Sequence, residues 1–211
     1  MIPVDRSALG TPRRWVVLVF GMSCLVAGIA LSITAELGVG SWQVFETGLV
    51  DVTGGSFGVV VFVEAVILLG VAWVWLRQRP WIATGILAFA GIGIEALLEV
   101  LSTPTAVAGQ YALLAAGMVL IAVGVAFYLA SDLGASAQDA LFVGIYERYP
   151  VRPAVVRFVM DASLVLVGIA LGGQFGVGTF AVTLAVPLLI EPALRLGHRL
   201  AGTPLPGALE R

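Results

Sequence analysis

Two carboxylates sit where an ionised group is hard to keep. Glu64 interrupts the apolar stretch Gly58 to Leu76, and Asp161 interrupts the stretch Pro153 to Gly173. At 1.5 Å per helical residue Glu64 lies about 9 Å below the outer end of its stretch, and Asp161 about 12 Å above the inner end of its own. At that depth in lipid an ionised acid costs some kcal/mol unless it is paired, protonated or wet. Asp161 has a partner in Arg157, four residues earlier and on the same helix face. No basic residue lies near Glu64 in sequence, which leaves it protonated in the apolar medium or exchanging a proton during transport. The two acids therefore either line an internal polar site for a solute or ion, or serve structure alone.

Two short segments offer further groups. After the first apolar stretch the chain reads Glu36-Leu37-Gly38-Val39-Gly40-Ser41-Trp42-Gln43, and after the fourth Asp132-Leu133-Gly134-Ala135-Ser136-Ala137-Gln138-Asp139. Each has an acid, a Leu-Gly, small residues, a hydroxyl suited to a helix cap and then a short apolar run, which predicts a half-helix too short to span. Dipping into the protein, it would aim its N–H groups and positive dipole end at a buried site, adding Gln43 and Asp139 to the binding groups. Lying flat at the interface, it would be an amphipathic connector. Glu95 and Glu191 are secondary acids nearer the stretch ends, and Pro187, one turn before Glu191, is expected to kink its helix.

These groups must be positioned by membrane helices. Of 211 residues 60% are hydrophobic and 11% charged, against roughly a quarter charged in a soluble domain, which excludes a soluble enzyme. Six stretches of about 20 apolar residues fit, beginning near Trp15, Gly58, Trp81, Tyr111, Pro153 and Val177. The first is too long for a signal peptide, and more spans follow it. All 11 basic residues are Arg, and all but Arg157 flank the N-terminus, the turn at Arg77 and Arg79, the connection at Arg148 and Arg152, and the C-terminal end. Connections 36–57, 102–110 and 174–176 carry none, so both termini are expected in the cytoplasm. The net charge of -2 gives no nucleic-acid face, and one histidine (His198) and one cysteine (Cys24) supply neither a His-based metal site nor a disulfide. No cofactor is implied. Trp42, Trp73, Trp75, Trp81, Tyr111 and Tyr146 read as an interfacial aromatic belt. Absence of Lys and Asn, both written by AA-starting codons, suggests a GC-rich bacterial source.

The chain repeats itself at an offset of 96. Residues 21–48 align with 117–144 without a gap, with identities at Gly21/Gly117, Met22/Met118, Gly28/Gly124, Ala30/Ala126, Leu37/Leu133, Gly38/Gly134 and Gly48/Gly144. Glu36 pairs with Asp132, Glu95 with Glu191, and Glu64 with Asp161 after one further residue. Three spans per half force the halves to cross the membrane in opposite senses, an inverted repeat of the kind frequent in secondary transporters. The expected organisation is a cytoplasmic tail 1–13, a three-helix repeat 14–101, an external linker 102–109, a second three-helix repeat 110–199 and a tail 200–211. The recurring glycines, seven apart on one helix face, read as close packing surfaces.

Leu-Gly followed by small residues in each half, with Trp42 and Asp139 in place and Gly-Val-Gly-Thr at 176–179 opening the last span, resembles the YczE group of bacterial integral membrane proteins, related to the YitT type. The usual family form carries Pro and Asp where this chain has Ser41 and Gln43, and Pro where it has Ala137. The resemblance implies a small multi-spanning protein of poorly defined activity. Taken together, the sequence predicts an all-α inner-membrane protein with a polar site between its halves, serving a small solute or ion with proton coupling. The negative balance of Glu64, Asp161, Asp139 and Arg157 favours a cationic or zwitterionic solute. A non-catalytic accessory or substrate-capture subunit that needs a membrane partner is the alternative, and homo-oligomerisation fits the small-residue faces. No nucleophile elbow, paired Cys or phosphate-cradling loop supports an enzyme.

Overall fold

The computed structural model describes residues 11–75, 81–133, 136–149 and 152–203. Gly134, Arg6, Arg77, Arg79 and Arg211, with the side chains of Trp81 and Tyr146, lie outside the described part. Among the described residues the chain is all helical: α1 Pro12–Thr34, α2 Ser41–Thr53, α3 Phe57–Val74, α4 Trp81–Val100, α5 Val107–Ala130, α6 Ala137–Arg148, α7 Pro153–Ala170 and α8 Val177–Ala201. Helices α1, α3, α5 and α8 are long and apolar enough to cross a membrane. The other two long helices are α4 with 20 residues and α7 with 18, while α2 and α6 have 13 and 12.

The order long, short, long, long occurs twice. Helices begin at 12, 41, 57 and 81, and again at 107, 137, 153 and 177, an offset of 95 or 96 each time. Glu36 and Asp132, 96 apart, are also the two non-glycine residues with positive φ among the described residues, at 55° and 57°. Because α3 and α7 start 96 apart, the position equivalent to Glu64 is Met160, and the extra residue expected between Glu64 and Asp161 is not inserted. Asp161 therefore sits one residue, about 100°, further round its helix.

The core is the crossing of α1 and α5. A Cβ on Gly28 would meet the Ile121 backbone N at 2.7 Å and the Gly117 carbonyl at 2.8 Å, and one on Gly124 would meet Leu25 N at 2.6 Å and the Gly21 carbonyl at 2.8 Å. Backbone rests on backbone at two places seven residues apart, which only glycine permits. In lipid the gain comes from close van der Waals approach, since apolar side chains are as well solvated by acyl chains as by each other. Around this pair α4 packs on α1 and α8 on α5, while α2 lies on α7 and α3 on α6.

Arg13, Arg14 and Arg148 reach the ends of other helices. Arg13 donates to the carbonyls of Arg199, at 2.8 Å, and Leu200 at the end of α8, where a cation suits the negative end of the helix dipole. Arg14 lies 3.5 Å from Asp132 beyond the end of α5, and Arg148 donates to the Trp75 carbonyl at the end of α3 at 3.2 Å. At the opposite end of α1 Glu36 accepts from Thr103 Oγ1 at 3.0 Å. Pro187 and Pro192 lie inside α8, which remains one element from Val177 to Ala201.

Candidate functional site

Both short helices start at the same interior place. The turn before α2 is locked by Gly38, whose φ of 103° favours glycine, and whose Cβ would collide with Gly176 N at 2.6 Å. Gly178 N donates to the Leu37 carbonyl at 2.6 Å, so the Leu-Gly motif seats on the opening of α8. Leu37 and Gly38 are therefore packing residues, and Leu133 in the second half is fully buried. Ser136 caps α6 by accepting from Asp139 N at 3.2 Å. From the shared interior the two helices run apart: α2 ends three residues before α3 begins, whereas Arg148 of α6 reaches the far end of α3. Ser41 and Ser136, at the two helix starts, are both buried inside the protein.

A cavity of about 630 Å³ lies between these helix starts. Its apolar wall comes from α1, α5 and α8, through side chains such as Leu25, Ile121 and Val186. Its polar wall comes from Ser41, Trp42, Gln43 and Glu46 of α2, Ser136, Gln138 and Asp139 of α6, and Arg157 and Asp161 of α7. Asp161 accepts from Ser41 Oγ at 2.8 Å and from Arg157 Nε at 2.7 Å, joining α7 to the start of α2 in the other half of the chain. Asp139 accepts from Ser136 Oγ at 2.8 Å and from the Tyr128 hydroxyl. In the second half the short helix reaches an acid of the first: Gln138 Nε2 donates to Glu64 Oε1 at 3.2 Å.

Asp161, Asp139, Gln43 and Arg157 thus line one cavity, with Ser41, Trp42 and Ser136 beside them. Other expectations need correction. Glu64 is not on the cavity wall. It lies buried behind Glu46 and Gln138, because its helix face is turned toward α6. Glu95 accepts from Gly58 N at 3.2 Å and so caps the start of α3, a structural task. Glu191 pairs with Arg195 at 2.9 Å on an exposed face and lies outside the cavity. Trp42, read in the sequence as part of an aromatic belt, lines the cavity. Trp73, Trp75 and Tyr111 are exposed near helix ends.

Glu46 and Gln138 escaped the sequence. The position equivalent to Glu46 is Phe142, so the repeat gives no second acid there, and Gln138 aligns with Trp42. The available signal was spacing: Gln43 and Glu46 are three apart and share the buried face of α2.

The profile of a family of unknown function, DUF6198, matches residues 12–193. An uncharacterised protein of Haemophilus influenzae is 30% identical over 193 residues, covering 89% of this chain and 86% of the relative. The uncharacterised membrane protein YczE of Bacillus subtilis is 25% identical, covering 86% and 85%, and the uncharacterised protein YyaS of the same organism is 28% identical, covering 85% and 91%. No solved structure matches this chain.

Proposed function

This chain, with four helices long and apolar enough to cross a membrane, belongs to the DUF6198 family, whose function is unknown, and from its geometry we propose that it is a carrier of a small cationic or zwitterionic solute. The single observation behind this reading is the cavity between the two helix starts, with Asp139 from one half and the Ser41–Asp161–Arg157 cluster built from both. A volume of about 630 Å³ falls within the range of small-molecule sites, and a mainly apolar wall with a few convergent polar groups is their usual composition. Asp139, Asp161 and Glu46 outnumber Arg157, which supports a cation or a zwitterion over an anion. The reading is of binding and passage, with no bond chemistry.

In this reading all six long helices span the bacterial cytoplasmic membrane as two inverted three-helix repeats. Supporting it are the 95–96-residue offset of the helix starts and the reciprocal contacts, Gly28 on Gly117 and Gly21 on Gly124, which exchange equivalent positions. The arginine-rich end is cytoplasmic by the positive-inside rule. Cysteines placed at Thr53 and Tyr149 in a Cys24→Ser background are then expected to react with a membrane-impermeant thiol reagent from opposite sides of sealed cells. Labelling of both from one side removes the inverted topology.

The functional test is uptake by the purified protein in sealed liposomes, against a panel of small amines, quaternary ammonium compounds and amino acids. Uptake of at least one above protein-free vesicles is expected. If the lone protein moves none of them, the carrier reading falls and a capture subunit that needs a membrane partner replaces it.

A further inference from the structure

Behind the cavity wall lies a buried pair of acids, Glu46, which lines the cavity, and Glu64, which does not. Glu46 is 4% exposed and Glu64 9%, and their carboxyls meet between α2 and α3. Glu64 Oε1 is taken by Gln138, but Oε2 is buried with no hydrogen-bond donor reaching it. Among the described residues no cation pairs with either acid: the ion pairs there are Arg14 with Asp132, Arg157 with Asp161 and Arg195 with Glu191. The charged and amide groups on α2 and α3 and on the elements packed against them include Gln43 and Asp51 on α2, Glu95, bonded to Gly58 N, and Glu99 on α4, Gln138, Asp139 and Arg148 on α6, the pair Arg157 and Asp161 on α7, and the pair Glu191 and Arg195 on α8.

Ionised carboxylates have acceptors only. Two of them side by side repel and leave both oxygens without a donor, whereas one proton between them removes a charge and supplies the missing donor. We propose that Glu46 and Glu64 form a proton-binding site, holding one shared proton on the buried oxygen pair and exchanging it with the cavity through Glu46. A metal cation fits less well, since hard cations gather about six oxygens and Gln138 turns its NH2, not its oxygen, toward Glu64. The proton moves from the pair to cavity water and back, with no other bond made or broken. Its use in transport rests on the carrier reading: a cation held at Asp139 and Asp161 favours the ionised form of the pair and expels the proton. Solute and proton would then travel in opposite directions.

The proton site is tested on the purified protein without solute, so its failure is distinct from failure of uptake. Infrared spectra at neutral pH should show the carbonyl stretch of a buried protonated carboxyl, shifted within minutes of transfer to D2O. Glu46→Gln and Glu64→Gln should each abolish that band, because the introduced amide donates to the remaining carboxylate and replaces the proton. Both variants keep the volume of the side chain, and either one that folds suffices. A band that survives in a folded variant, that fails to exchange, or that is missing from the wild type overturns the proposal. A band that appears only when sodium is removed also overturns it, and makes the pair a cation site.

Discussion

Uptake is expected to fall about tenfold or more when Asp161 is replaced by Asn, with the protein still folded. The carboxylate accepts at 2.8 Å from Ser41 and at 2.7 Å from Arg157, and its side chain is 19% exposed, so it is held in place yet open to the cavity. Asn keeps the shape and the acceptor for Ser41 while removing the charge. The Arg157 guanidinium is then uncompensated at the wall and repels a cation where the wild type attracts one. A tenfold loss is about 1.4 kcal/mol, modest for a charged hydrogen bond in a partly dry site. The double variant Arg157→Gln with Asp161→Asn separates two roles. If Asp161 served only to neutralise Arg157, removing both would restore uptake. We expect the double variant to stay inactive, because the ligand group is still missing. Normal uptake by the folded Asp161→Asn protein would remove this residue from the solute site.

Introducing Leu at Gly28 is expected to cost the protein most of its folded yield in detergent. The first added carbon meets Ile121 N at 2.7 Å and the Gly117 carbonyl at 2.8 Å, backbone atoms that no rotamer change can move aside. The helices must separate along the whole crossing, and close contacts from Gly21 to Gly28 are lost together. Overpacking of a tight interior typically costs roughly 1–3 kcal/mol, and at the upper value the melting temperature of a chain this size drops by about 6–12 °C. Leu at Gly124 should do the same from the other helix. Gly70 provides the control, since nothing lies within 4 Å of its added carbon and Gly70→Leu should melt like the wild type. A Gly28→Leu protein with unchanged melting temperature would mean that α1 and α5 do not cross there.

Much of this arrangement is legible in the residues, for a physical reason. A bilayer accepts few structures, so run length and charge suffice for α1, α3, α5 and α8, and the Leu-Gly motifs mark α2 and α6 because a chain turning back into the interior needs small residues and a cap. Asp161 and Arg157 are legible because their partnership is local, four residues apart on one helix. What escapes is the contact made across helices. Glu95 looks like a functional acid until Gly58, 37 residues away, is found to donate to it. Glu46 is hidden because its role comes from Glu64 on the next helix, and an acid on a short amphipathic helix looks like one of many solvated charges. Rotation decides the rest: one residue of phase turns Asp161 to the cavity and Glu64 away from it.

The α1–α5 crossing also restricts how this protein can move. Two helices held through side chains can slide or roll by changing rotamers, but a seam of backbone against backbone has no rotamers to change. Two such points, about 10 Å apart along each axis, fix translation and crossing angle together. The pair therefore behaves as a fixed post. In the carrier reading, a displacement that opened the cavity to one side and then the other would belong to the helices around it, such as α7, which packs on the two short helices α2 and α6 and carries Asp161 and Arg157 on the cavity wall.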